Sequence, residues 1–174
     1  MRTREWLRNL YLIFTIQSPE GWMPRTEFHR DLQVKSPPAD SWAAMVDVPR
    51  LVSWVSIVED AVEIEPLSKY TAVLMDRLGP FKLRADLDVT VSDVDEGSSL
   101  KVRATGEDRQ VGSRLLIMAT MLVRQEEHGS TISVNGVYEV TGKVASMGSG
   151  TINKKAEKIL DEFFGAAGDD LGSA

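Results

Sequence analysis

Few side chains in this sequence have the type and spacing that chemistry needs. The two histidines, His29 and His128, stand far apart, one near a strand start and one in a turn. Neither has a second histidine three or four residues away, the spacing that sets two imidazoles on one helix face for a metal. There is no cysteine, which excludes disulfides, thiolate nucleophiles and cysteine-bound metals. Asp93, Asp95 and Glu96 resemble a calcium loop only superficially, because the ligand spacing and the closing bidentate glutamate are wrong. Gly148-Ser149-Gly150 falls inside a helical pattern rather than between strand and helix, so it is no phosphate cradle. Glu107-Asp108-Arg109 reads either as a surface loop or as a charged group at a pocket mouth that orients a polar head. Tyr70 and Tyr138 read either as core tyrosines or as hydrogen-bond donors in a cavity. No catalytic residue, no metal ligand and no cofactor is expected.

The elements that must position these residues are clearer. Phe81, Leu83, Ala85, Leu87, Val89 and Val91 alternate with Lys82, Arg84, Asp86, Asp88, Thr90 and Ser92. Alternation at period two puts one apolar and one wet face on a strand, and a run this long implies a strongly curved sheet. Upstream, Glu27 to Val34 reads as a first strand. Ser36-Pro37-Pro38 then opens a short helix, with Ser36 as its cap. Asp47 and Pro49 break that helix before a second short one carrying Leu51, Val52, Trp54 and Val55. Strands follow over Val58–Pro66 and Tyr70–Leu78, and Gly79-Pro80 turns into the long strand. A further strand carries Leu100, Val102 and Ala104 inward, and a loop spans Gly106 to Gly112.

Ser113 to Arg124 is apolar on both faces. Leu115, Ile117, Ala119, Met121 and Val123 share one face; Leu116, Met118 and Leu122 share the other. A strand apolar on both faces is normally covered on both, here by the N-terminal segment or another packed element, or by a partner. After a turn at Gln125–Gly129, the last strand sets Ile132, Val134, Gly136, Tyr138 and Val140 inward; a glycine in mid-strand marks a kink or a close approach. A final helix from about Lys143 carries an apolar stripe of Val144, Met147 or Gly148, Ile152, Ala156, Ile159 and Phe163 at intervals of three and four. Lys154, Lys155, Glu157, Lys158, Asp161 and Glu162 take much of the remaining surface. Gly148 and Gly150 make the helix start its loosest part.

The fold class is therefore α+β: a curved antiparallel sheet of about seven strands wrapped around one long C-terminal helix, with two short helices after strand one. Between sheet and helix lies a natural pocket for an apolar ligand. Its expected wall is Tyr70, Phe81, Leu83, Leu87, Leu100, Val102, Ile117, Met121, Val134 and Tyr138 from the strands, and Ile152, Ala156 and Ile159 from the helix.

Bulk properties agree. The chain has 174 residues, 43% hydrophobic and 26% charged, enough for one domain with a real core. Its net charge of −6 argues against nucleic acid, whose phosphates require a basic surface. Residues 1–30 hold five Arg and three Glu, leaving −8 on the remainder. Residues 1–24 form an N-terminal extension that reads differently from the domain. Arg2, Arg4 and Arg8 surround Trp6, Leu7, Leu10 and Tyr11, and an apolar run to Ile16 is too short to span a bilayer. Three readings fit: an upstream stretch with Met23 as the true start, a short amphipathic helix packed on the domain, or a segment that touches a membrane surface. The domain is expected over residues 25–166, with a disordered tail over 167–174.

The element order resembles the helix-grip domains of the SRPBCC, START and Bet v 1-like superfamily. More narrowly, the chain resembles the CoxG family of carbon monoxide dehydrogenase subunits. The resemblance covers about residues 26–166. It rests on Ser36-Pro37-Pro38 with Trp42-Ala43-Ala44, Tyr70-Thr71-Ala72 with Gly79-Pro80, Gly106-Glu107-Asp108-Arg109, Gly142-Lys143-Val144-Ala145 with Gly148, and Glu162-Phe163-Phe164. It implies a non-catalytic accessory protein of molybdenum hydroxylases, cytoplasmic and peripheral to the inner face of the membrane, with a pocket for a quinone or lipid tail. Two features depart from the family pattern. Ser56-Ile57-Val58 replaces an expected Ile-Pro-Gly, and the 1–24 extension is not a family feature. The competing readings are a polyketide cyclase-like enzyme of the same fold, which needs polar groups facing inward, and a protein–protein interaction module using Leu116, Met118 and Leu122.

Overall fold

The computed structural model describes residues 25–174; the three readings of residues 1–24 lie outside it. Strand β1 (Thr26–Val34) is followed by helices α1 (Pro38–Val46) and α2 (Val48–Ser53). Six strands come next: β2 (Val58–Glu65), β3 (Lys69–Leu78), β4 (Phe81–Asp95), β5 (Ser99–Asp108), β6 (Ser113–Glu126) and β7 (Gly129–Gly142). A 3₁₀ turn (Lys143–Met147) leads into helix α3 (Ser149–Leu171). The strands form one antiparallel sheet in the order β1-β7-β6-β5-β4-β3-β2. This is the α+β helix-grip architecture expected from the sequence.

The alternation in β4 is realised. Leu83, Ala85, Leu87, Val89 and Val91 turn inward while Lys82, Arg84, Asp86, Asp88 and Thr90 are on the wet face. The ladder slips between Ser92 and Asp95, where Asp93 takes a positive φ of 49°; a bulge of this kind bends a long strand. At Gly136 a Cβ would sit 2.5 Å from the Phe28 ring and 2.6 Å from the Met118 carbonyl oxygen. The close approach read from this glycine is therefore made by β1 and β6. Leu116, Met118 and Leu122 are half-buried on the outer face of β6.

Three expectations change at the ends of the elements. Ser36 does not cap α1, whose N-terminal position is taken by Pro37 without a side-chain bond; its hydroxyl donates instead to the Leu171 carbonyl at 2.8 Å. The helical pattern from Lys143 is interrupted at Gly148, whose φ of 89° and ψ of 151° no helix accommodates, so Gly148 separates the 3₁₀ turn from α3. Residues 167–174 are docked rather than disordered. Ala167, Gly168 and Leu171 are buried, Ser173 bridges Val34, Lys35 donates its N–H to the Gly172 carbonyl at 2.7 Å, and Ala174 donates to Gln33 at 3.1 Å. An apolar side chain at Leu171 and backbone groups free to extend the edge of β1 make docking favourable where composition suggested fraying.

The core sits at one end of the grip. Val34, Trp42, Ala44, Met45, Trp54, Leu100, Met121, Val123, Ile132, Ala167 and Leu171 form one buried cluster, joining the short helices and the C-terminal half of α3 to the sheet. Trp54 meets Phe163 edge-on, with centroids 5.5 Å apart. At Gly168 a Cβ would lie 3.3 Å from Leu32 and closer still to Ser173, so the missing side chain lets the helix press against β1. Asp170 fastens this end further, accepting from Arg50 at 2.6 and 3.1 Å and from the Trp54 indole at 3.1 Å.

Candidate functional site

Towards its N-terminus α3 stands off the sheet, and a cavity of about 290 Å³ opens beneath it. Its wall comes from the C-terminal half of β3 (Leu74, Leu78), the start of β4 (Leu83, Ala85), the start of β6 (Leu115, Ile117), the end of β7 (Tyr138, Val140) and one face of α3 (Ile152, Ala156, Ile159, Leu160). Phe28, Ile57 and Val144 add to its apolar part. Ile152, Ala156, Ile159 and Leu160 are only half-buried, because the space they face is not filled by protein. A second depression, about 500 Å³, lies on the opposite face of the sheet among Asp86, Asp88, Arg103, Glu107, Arg109, Arg114 and Glu139. It is larger, but Leu115 and Leu116 share its wall with these charges, so it offers an apolar guest less to gain than the hollow under α3.

Of the residues expected in the wall, Leu83, Ile117, Tyr138, Ile152, Ala156 and Ile159 line this cavity. The other seven do not. Leu100 and Met121 belong to the buried core cluster, and Val102 and Val134 pack against it. They face inward as expected, but they lie towards the packed end, and alternation reports which face a residue takes, not where along the strand the hollow begins. Leu87 is buried over Gly106, where a Cβ would lie 2.5 Å from its Cδ2; it fills space instead of opening onto it. Tyr70 is buried near the β2–β3 turn, its hydroxyl accepting from the Leu67 N–H at 2.7 Å, and burial raises its pKa. Phe81 is half-buried at the hairpin tip opposite Leu78.

The polar groups on the wall are few. The Tyr138 hydroxyl donates to Asn153 Oδ1 at 2.7 Å. Asp108, from the Glu107-Asp108-Arg109 stretch, is 4% exposed. It is a turn brace: its carboxylate accepts the backbone N–H groups of Arg84 at 2.7 Å and of Gln110 and Val111 at 2.9 Å. Burial alone would raise its pKa, but these three donors outweigh it and hold the carboxyl below its ordinary value. The remaining charged pair escaped the sequence reading. Lys155 on α3 meets Asp76 on β3 at 2.8 Å, and both line the cavity. A signal for each was present. Asp76 shares the inner row of β3 with Leu74 and Leu78, and Lys155 is three residues from Ile152 and four from Ile159. Assigning Lys155 to the solvent face of the helix is therefore corrected.

Among the described residues no group of histidine and carboxylate side chains could hold a metal, and no helix is long and apolar enough to cross a membrane.

The decisive comparison is with protein families. Residues 31–169 match the family of carbon monoxide dehydrogenase subunits designated CoxG. The chain belongs to the CoxG family. Solved structures place this CoxG chain in the Bet v 1-like fold. A conserved protein from Geobacillus kaustophilus superposes with a TM-score of 0.72 at 18% identity, covering 85% of this chain and 95% of that one. The two-domain ARO/CYC protein StfQ from the steffimycin biosynthetic pathway gives 0.58 at 8% identity, covering 82% of this chain and 49% of its own. Ara h 8.0201 gives 0.51 at 16% identity, covering 83% and 98%. At such identities the likeness is one of fold. No curated protein matches the CoxG chain.

Proposed function

We propose that this CoxG-family chain is a non-catalytic accessory protein that carries an apolar small molecule, quinone- or lipid-like, in the cavity under α3. In this reading it serves a molybdenum hydroxylase of the carbon monoxide dehydrogenase type and works in the cytoplasm, at the inner face of the membrane. The observation that supports it most is the cavity itself. A gap of about 290 Å³ walled by Leu74, Leu78, Leu83, Ile117, Val140, Ile152 and Ile159 is close to the lower end of small-molecule pockets. Each square ångström of apolar guest removed from water there gains about 25 cal/mol. A chain with no use for the space would gain by filling it.

The test is native mass spectrometry of protein purified without detergent, followed by addition of a short-chain quinone or a fatty acyl compound. Bound apolar mass, or stoichiometric uptake of an added compound, is expected. An empty protein that takes up neither overturns the carrier reading. Co-purification with the hydroxylase tests the accessory role separately. The cyclase-like alternative has one observation in its favour, the Asp76–Lys155 pair, but each of these charges already neutralises the other.

A further inference from the structure

The carrier reading leaves the cavity's guest undefined, and the Asp76–Lys155 pair narrows it. Lys155 Nζ lies 2.8 Å from Asp76 Oδ1, with the lysine side chain 26% and the aspartate 13% exposed. The same Oδ1 accepts the Arg77 N–H at 2.7 Å, which fixes the carboxylate on β3. An ammonium has three N–H donors, and among the described residues the close partner of Lys155 is the Asp76 carboxylate, in an ion pair. Both residues line this largely apolar cavity and both keep some exposure, so a guest that reaches the pair can meet the other lysine donors. The other charged groups on the wall are committed elsewhere. Asp108 is held by three backbone N–H groups, and Arg114 turns to Glu107 at 3.6 Å.

We propose that Asp76 and Lys155 form a polar anchor that selects a neutral guest bearing a carbonyl or hydroxyl oxygen on an apolar body. A neutral oxygen accepts a bond from Lys155 without adding charge. Hydrogen bonds to an ionised partner are stronger than those between neutral groups. A carboxylate head would also meet Lys155, but it would bring a second negative charge beside Asp76 into a site with little water to screen it. A bare hydrocarbon would leave the lysine donors without a partner while stripping their water. The volume sets the scale. At about 30 Å³ for each water-sized unit, the cavity holds a small ring or a short chain, and a longer tail must leave through the mouth. The inference rests on the carrier reading and goes further, because it ranks ligands by head group.

The experiment uses the full chain and three matched probes, hexyl methyl ketone, octanoate and octane, with binding followed by competition against a bound apolar dye. The wild type is expected to bind the ketone about tenfold more tightly than either of the others. Asp76→Leu combined with Lys155→Met should reverse the order, octane then binding more tightly than a ketone whose oxygen has lost its donor, while Lys155→Arg keeps the preference. Wild-type protein that binds all three alike overturns the anchor and leaves the carrier reading standing. Wild-type protein that prefers octanoate also overturns it. If none of the three displaces the dye and none is taken up directly, the carrier reading fails and the anchor with it. The wild-type ranking decides even if the double variant does not fold.

Discussion

The two halves of the grip are built from the same sheet and the same helix, yet they treat the space between them in opposite ways. At the C-terminal end of α3, Ala167, Gly168 and Leu171 are buried in the packed cluster, and Ile132 and Val34 are almost fully enclosed. At the N-terminal end, Ile152, Ala156 and Ile159 remain only half-buried over a hollow. Side-chain size accounts for much of the difference. The packed end receives Trp42 and Met45 from α1, Trp54 from just after α2, and Phe163 from α3. Among the described residues no α-helix other than α3 contributes to the wall of the hollow end. One end therefore carries stability and the other holds volume in reserve, the division expected where a binding site is set on a rigid scaffold.

The sharpest way to break this contrast is to delete the same side chain at both ends. Ile132 is 0% exposed within the packed cluster, so Ile132→Ala removes both burial and close contacts and should cost about 4 kcal/mol. Ile117 faces the hollow and already lacks neighbours on that side, so Ile117→Ala should cost about 1–2 kcal/mol. Urea titrations of the two variants measure the gap. Equal losses would show that the hollow is as well packed as the core.

Asp108 brings the next largest effect, because it braces the β5–β6 turn at the hollow end. Asp108→Ala leaves the N–H groups of Arg84, Gln110 and Val111 without their acceptor and should cost about 2–3 kcal/mol. The same residue predicts the acid behaviour. Its folded pKa lies below the ordinary value of 3.8, so the folded state binds that proton less readily than the unfolded chain. The stabilisation is complete above about pH 5 and is lost as the pH falls through 3.8 towards the folded value. Asp31 shifts the same way, held down chiefly by the Ser133 hydroxyl. The wild type and Asp108→Ala should therefore converge in stability as the pH is lowered from about 5 to about 2. A constant difference across that range would mean that the bonds to Asp108 do not depend on its charge.

The sequence showed which face each strand turns inward far better than it showed where the hollow lies. The alternation in β4, the apolar row of β6 and the stripe of α3 all follow from period, a local property. The depth of the cavity is not local. It depends on the break at Gly148, which starts α3 afresh, on Gly168, which draws its far end onto β1, and on the aromatic residues that fill one end only. Leu100 and Met121 were thus indistinguishable in pattern from Ile117, although two of the three lie in the core. Asp76 and Lys155 were legible in principle, since each breaks an apolar row at an inward position. A charged residue on such a row reads as an exception until its partner on another element is seen 2.8 Å away. The docked tail was hidden for a related reason, because Gly168-Asp169-Asp170 has the composition of a disordered end, yet Asp170 is held by Arg50 and Trp54.

The smallest effect gives the finest test of the comparison, because the same substitution should change sign between the ends. Ala156 faces the hollow, and leucine keeps nearly the helix propensity of alanine. Ala156→Leu adds apolar carbons to space already present. Each buried methylene is worth about 0.8 kcal/mol, less the cost of fixing the new rotamer. A gain of about 1 kcal/mol is expected, together with reduced uptake of any apolar guest. Ala167 is 1% exposed in the packed cluster, and Ala167→Leu has nowhere to put the same atoms, so it should lose about 1–3 kcal/mol. Thermal melts of the two variants, with dye binding measured on each, read both signs at once. If Ala156→Leu destabilises the protein as much as Ala167→Leu, the space under the N-terminal half of α3 is too small to admit even a side chain, and too small for a guest.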